Sequence, residues 1–198
     1  MGILGNILPN NIFSSGLHPW DVDKEAMQDQ LALVDRAAGQ DQVHLIGECG
    51  LDKLRGPEIE VQKQAFAAQI ELANRHQKPL IIHCVKAYDE LIAITKTHPP
   101  QIPAIIHGFN KSPELAQQLG GHGFLLSFGA ALLNEHSPAR KALQECWQQQ
   151  QPFFLETDNS PLTIAEIYAQ AAILLKISED ALKDAIFANW KKIGLKHA

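Results

Sequence analysis

Two histidines and two acidic residues in this sequence sit where a short apolar run stops. His83 closes Pro79-Leu80-Ile81-Ile82-His83, and His107 closes Pro103-Ala104-Ile105-Ile106-His107. Glu48 follows Val43-His44-Leu45-Ile46-Gly47, and Asp158 ends Phe153-Phe154-Leu155-Glu156-Thr157-Asp158. Imidazole and carboxylate are the donors that a divalent-metal hydrolase requires. Two histidines and a glutamate around Zn²⁺, Mn²⁺ or Mg²⁺, with one coordination position open, activate water. Asp158 adds a carboxylate for a second ion or for proton transfer. A lone carboxylate after a buried strand needs a partner or costs several kcal/mol, which favours a shared site over isolated core groups.

Ligands so far apart in sequence must be brought together by the fold. The runs are too short for ordinary helices and carry β-branched isoleucines, so they read as strands buried on both faces, as in parallel sheets. In a parallel barrel the C-terminal strand ends converge on one face, where active sites sit. Strands are expected at 12–15, 43–48, 79–83, 104–107, 124–128 and 153–158. Helices are expected between them at 23–38, 58–76 and 87–97, from Ser112-Pro113 and from Ser137-Pro138, then at 163–176 and from Ser178 onward. Ser before Pro is a capping pair, and the acidic residues after Ser178 complement the helix dipole. Gly120-Gly121-His122-Gly123 precedes a strand and reads as a helix stop, not a phosphate cradle. The expected fold is α/β, a TIM-type (β/α) barrel with about six of eight strands, incomplete at the N-terminus, in a single domain over 1–198.

The 198 residues are 45% hydrophobic, enough for a sizeable core, and the net charge is −5. That balance offers no global basic field for gripping nucleic acid, although metal ions or a local patch can still engage phosphates. Cys49, Cys84 and Cys146 make an odd count with no C-x-x-C pair, which reads as reduced thiols of a cytoplasmic protein. The N-terminal stretch lacks a basic region and a long apolar core, and no run reaches membrane-spanning length.

Gly16-Leu17-His18-Pro19, Ile46-Gly47-Glu48-Cys49-Gly50-Leu51-Asp52, Pro79–His83, His107-Gly108-Phe109 and Leu155-Glu156-Thr157-Asp158 resemble, in order, the motifs of TatD-like metal-dependent deoxyribonucleases. Asn189-Trp190-Lys191-Lys192-Ile193 is similar to that family's C-terminal helix. The resemblance implies an amidohydrolase-type barrel that cuts phosphodiesters with one or two divalent ions. It makes Glu48 the metal-bridging carboxylate and His83 and His107 the second metal's ligands. Asp158 becomes the aspartate at the first metal that also takes the water proton, and His18 lines the substrate pocket. DNA ends or short single strands are the implied substrate, in keeping with the negative charge.

Two departures stand out. Members of the family begin with a strand carrying a His-x-His pair for the first metal, and this sequence has none. A truncated form, a late start codon and a chain living without that site all fit. Relatives often follow the strand histidine with Ser-Arg, whereas this chain has Cys84-Val85-Lys86. Lys86 is the candidate for the phosphate contact, one residue late and differently directed on an extended strand.

Glu156 is expected beside the ligands as an ion-pair partner, Cys49 and Cys84 as small buried groups, and Trp20 as a pocket residue. His44, His76, His98, His122, His136 and His197 are read as solvent-facing, and Trp147 and Trp190 as packed on the core. Two other functions stay open at this point. One is hydrolysis of another ester or amide, because barrels host many chemistries. The other is an impaired barrel that binds rather than cuts, its open edges covered by a second copy.

Overall fold

The computed structural model describes residues 12–194. They form one six-stranded sheet in sequential order, every neighbouring pair parallel: β1 (Phe13–Ser15), β2 (Val43–Asp52), β3 (Leu80–Val85), β4 (Ala104–Ile106), β5 (Phe124–Phe128) and β6 (Phe153–Leu155). Helices α1 (Met27–Ala38), α2 (Ile59–His76), α3 (Tyr88–Thr97), α4 (Pro113–Gly121) and α5 (Ala139–Gln148) make the crossovers, and α6 (Ile164–Leu175) and α7 (Glu179–Lys192) follow β6. A sequential parallel sheet with a helix in each crossover is the (β/α) barrel plan, here with six strands. Among the described residues β1 and β6 each have one neighbour. No helix among them is long and apolar enough to cross a membrane.

The strand runs hold because both of their faces are buried. Ile46, Leu80, Ile82, Ala104, Ile106, Phe124, Leu126 and Phe153 pack outward against the helices. Leu45, Ile81, Ile105, Leu125 and Phe154 gather on the inner face, which the end of α7 covers with Trp190 and Ile193. Trp190 lies 4.5 Å from the Phe154 ring, and Asn189 donates to the Phe153 carbonyl at 3.0 Å. This apolar floor lies at the N-terminal ends of the strands. Two residues further along each strand, alternation brings the next inward positions to the opposite end.

Ser112 and Ser178 cap as expected, each accepting a bond from a first-turn backbone N–H, and Thr163 adds a capping box with Glu166. The expected Ser137 cap differs: Pro138 is the N-cap of α5 and makes no side-chain cap bond, while Ser137 Oγ accepts only the Ala139 amide at 3.3 Å. Helix α1 starts at Met27 rather than at residue 23. Asp23 Oδ1 accepts from the Glu25 and Ala26 amides at 2.9 and 3.4 Å and holds that stretch in a turn. The second strand runs to Asp52, past the expected end at Glu48, because its pairing with β3 resumes beyond an irregularity.

That irregularity is a one-residue bulge. Ile46 pairs with Leu80 and Cys49 with Ile82, so three steps on β2 match two on β3. Ile46 and Cys49 both pack outward, which leaves Gly47 and Glu48 together on the inner side. Past the bulge Gly50 lies opposite His83. Its φ is +133°, and a Cβ there would stand 2.1 Å from the His83 carbonyl oxygen. Gly50→Ala is therefore expected to cost about 2–3 kcal/mol, lowering the thermal midpoint by roughly 4–12 °C. Gly121→Ala, where a Cβ meets nothing within 4 Å, is expected to leave the midpoint level or slightly raised. Parallel thermal melts of the two variants check this.

Candidate metal centre

The inward alternation that places Ile81 and Ile105 in the floor places His83 and His107 above it, and the bulge adds Glu48. His83 Nδ1 lies 3.3 Å from His107 Nε2, and His107 Nε2 lies 3.3 Å from Glu48 Oε2. Donors bound at ~2.1 Å to one tetrahedral ion stand about 3.4 Å apart, a separation that each of these two pairs matches. Two candidate metal groups share Glu48: His18 with Glu48 and His83, and Glu48 with His107 and Asp158, the donor atoms of each lying within 4.8 Å of one another. The sequence-expected set of Glu48, His83, His107, Asp158 and His18 thus meets in one place. Lys86 does not join it: it sits exposed just past β3 with φ +52°.

Which nitrogen each ring can offer follows from what holds its other side. His83 Nε2 faces Asp52 Oδ2 at 3.1 Å, and His107 Nδ1 faces Glu156 Oε1 at 3.6 Å. The Asp52 carboxylate takes the His83 Nε2–H, which directs the Nδ1 lone pair inward; Glu156 faces Nδ1 of His107, so that Nε2 is the inward nitrogen able to ligate once that ring gives up its extra proton. His18 is wired the other way. Its Nδ1 accepts the Trp20 amide at 3.2 Å, so the neutral ring carries hydrogen on Nε2, 3.7 Å from Glu48 Oε2. In this arrangement His18 is a hydrogen-bond donor at the edge of the cluster. Burial, and then the neighbouring His83 ring, hold its pKa below the ordinary value and keep it neutral.

Glu48 and Asp52 are both held below the ordinary carboxylate range. The hydrogen bond from His107 is the main cause that holds the Glu48 pKa down, against burial. Burial works to raise Asp52, but bonds from Trp20 Nε1 (2.6 Å), Leu54 N (2.8 Å) and His83 more than offset it. Burial likewise opposes charge on His107, yet Glu156 and Glu48 prevail and push its pKa up to about 10. Without a metal His107 is thus an imidazolium between two carboxylates. Glu156 also accepts from the Gly108 amide at 2.6 Å, which fixes the turn after β4. Beside Asp158 opens a cavity of about 160 Å³, lined by Gly108, Gly129, Glu156, Thr157 and Ser160.

Sequence reasoning missed Asp52, only 3% exposed, whose Oδ2 serves both His83 and Trp20. It missed two buried glutamines on α2 as well. Gln69 bonds both the N–H and the carbonyl of Leu17, at 2.7 and 3.0 Å, next to His18. Gln62 does the same for Asp52, at 2.7 and 2.9 Å. The available signal was two amides seven residues apart within the apolar face of a helix, where each needs a partner. Of the histidines read as solvent-facing, His122 and His136 are exposed and His197 lies outside the described residues. His44 and His98 are half-buried, and His76 is tied to Asp35 at 2.6 Å, because the face of α2 that carries it packs on α1. Cys49 and Cys84 are buried free thiols, and Trp147 and Trp190 pack on the core as expected.

Comparison with known proteins agrees with this architecture. The family model described as TatD related DNase matches residues 4–193. The 3'-5' ssDNA/RNA exonuclease TatD of Escherichia coli K12 is 29% identical over 161 residues, covering 75% of this chain and 60% of the relative. The uncharacterized metal-dependent hydrolase YjjV of the same organism is 27% identical over 191 residues, covering 88% of this chain and 73% of the relative. Among solved structures, the E. coli YjjV TatD homolog superposes with a TM-score of 0.72 at 26% identity, over 91% of this chain and 75% of that one. A TatD-family hydrolase from Entamoeba histolytica shares the fold, with a TM-score of 0.75 at 17% identity over 93% of this chain and 75% of that one. The chain spans about 60% of the length of the E. coli exonuclease.

Two outcomes follow from the wiring of the rings. Asp52→Asn removes the carboxylate that orients His83 and is expected to weaken Zn²⁺ or Mn²⁺ binding roughly 10- to 100-fold, as read by competition with a chelating dye. Metal uptake must displace the His107 proton, which is held up to about pH 10. Affinity is therefore expected to rise about tenfold per pH unit between pH 6 and 8, with one proton released per ion. Calorimetry in buffers of differing ionisation enthalpy counts that proton.

Proposed function

Because this chain belongs to the TatD-related DNase family, whose model spans residues 4–193, we propose that it is a metal-dependent hydrolase of phosphodiester bonds in nucleic acid, acting at the ends of single strands. The observation that carries the reading is that Glu48 Oε2 and His83 Nδ1 each stand 3.3 Å from His107 Nε2, with an outward carboxylate facing the other nitrogen of each ring. A divalent ion at those donors would supply Lewis acidity, acidifying water and polarising a phosphoryl oxygen.

The chain's own groups divide the remaining work. Asp158, exposed at the open side of the cluster, takes the proton of the attacking water. His18 Nε2–H, directed toward the Glu48 carboxylate, also donates to a phosphoryl oxygen brought beside it and steadies the charge that grows there. Asp52 and Glu156 keep the two imidazoles in the tautomers that leave their inward nitrogens free. The 160 Å³ cavity beside Asp158 lies below the roughly 300 Å³ of ordinary ligand pockets, which suits a phosphate group more than an entire nucleotide. A net charge of −5 provides no field for holding a long duplex, and this favours strand ends. The exonuclease named among the relatives acts on single-stranded DNA and RNA, which supports the same substrate class.

Hydrolysis of end-labelled single strands, nitrophenyl phosphodiesters and carboxyl esters, each with and without chelator, tests the proposal. Phosphodiesters are expected to be cut only in the presence of metal, and carboxyl esters not at all. Asp158→Asn is expected to lower kcat by about 10²- to 10⁴-fold at saturating metal. Metal-dependent cleavage at the wild-type rate in that variant would remove Asp158 from the proton-transfer role.

A further inference from the structure

We propose that the indole of Trp20 is a stacking platform for an unpaired nucleobase next to the cleaved bond, with Arg55 as the contact to the flanking phosphate. The inference rests on the nucleic-acid reading above and specifies how a single strand would be recognised.

Trp20 is 42% exposed, yet it stands at the wall of the metal cluster. Its ring centroid is 4.7 Å from that of His18 and 5.6 Å from that of His83. A large indole left open to water beside a polar site invites a flat, apolar ligand face. Its position is also fixed relative to the chemistry. Nε1 donates at 2.6 Å to Asp52 Oδ2, the oxygen that faces His83 Nε2, and the Trp20 amide donates to His18 Nδ1. A base resting on this ring would therefore sit at a set distance from the donors of Glu48, His83 and His107.

The second half of the platform comes from the loop after β2. The Arg55 guanidinium lies over the indole, 4.6 Å from its centroid. It makes no ion pair among the described residues, whereas Lys53 in the same loop is paired with Glu90. The loop is held in place. The buried Gln62 amide donates to the carbonyls of Asp52, Arg55 and Pro57 at 2.9, 3.0 and 2.8 Å. Gly56 lets it press on the Trp20 turn, since a Cβ there, at φ +83°, would stand 2.5 Å from the Pro19 carbonyl oxygen.

Arg55 and a base compete for the indole. An exposed cation–π contact is weaker than base–aromatic stacking, so the base takes the ring and the guanidinium turns to the neighbouring phosphate. A base inside a duplex has both faces occupied by its neighbours and cannot do this. The platform therefore selects single strands without reading sequence, because every base has a π-face.

A mutant cycle tests the idea. The binding of fluorescein-labelled single-stranded oligonucleotides is measured by anisotropy with chelator present, and the oligonucleotides carry one abasic site stepped along the end. Trp20→Ala is expected to weaken binding roughly 5- to 100-fold. One abasic position should cost wild type as much and cost the variant almost nothing. Trp20→Phe should restore most of the affinity, although it lacks the bond to Asp52. Arg55→Gln should lower the slope of log affinity against log salt by about one. If Trp20→Ala does not fold, Trp20→Leu, apolar but without a π-face, serves in the same cycle. Additive losses from variant and abasic site, or wild-type affinity in Trp20→Ala, would overturn the platform alone. Failure of the wild-type chain to bind any single strand would overturn the nucleic-acid reading and the platform with it.

Discussion

A neutral imidazole has one lone pair to give, and the surroundings of its second nitrogen decide where that lone pair points. The site of this protein depends on that constraint. Asp52 and Glu156 face the outward nitrogens of His83 and His107, and the two inward nitrogens come to stand 3.3 Å apart. The Trp20 amide occupies His18 in the opposite sense and makes it a donor. Three histidines of one chemistry thus receive two roles from the atoms behind them.

Those outward partners are buried or half-buried, so each must itself be satisfied. Asp52 accepts from Trp20, Leu54 and His83, and both its backbone groups are bonded by Gln62. Gln69 bonds the backbone next to His18 in the same two-handed way. The two glutamines lie seven residues apart on α2, about two turns, and so share one face. Helix α2 consequently serves both layers: Val61, Phe66 and Ile70 fill the core, while the glutamines hold the segments that carry His18, Trp20 and Asp52. Disturbing the apolar packing of α2 would be felt at the site through these amides.

The barrel plan explains how six strands suffice to assemble this cluster. Inner positions near the strand starts form an apolar floor, closed by Trp190 of α7 and by Ile193 just after it, and the next inner positions carry the polar groups. Each layer draws on neighbouring strands, so β2, β3, β4 and the segment after β6 supply the donors locally. The family relationship and the shared fold fit this layering. The floor is dry and the rim polar, and the change between them takes two residues on each strand.

Much of the layout was legible in the chain. The apolar runs announced buried strands because a parallel sheet covered on both faces tolerates little else. His83 and His107 could be placed because alternation with Ile81 and Ile105 makes them inward-facing. Caps at Ser112 and Ser178 could be read because the bonds they make are local. Glu48 is different: counted outward from Ile46 by strict alternation it belongs on the helix side, and only the bulge at Gly47–Glu48 turns it inward. The roles of Asp52, Gln62 and Gln69 were hidden because periodicity merely assigns them to a face, and their partners lie 10 to 52 residues away. The sequence by itself determined the order of strands, the layer each residue joins and the chemistry available there. Tertiary structure alone decided the register and the pairing of polar atoms, because a one-residue shift between strands and the direction of a ring's lone pair depend on groups distant in the chain.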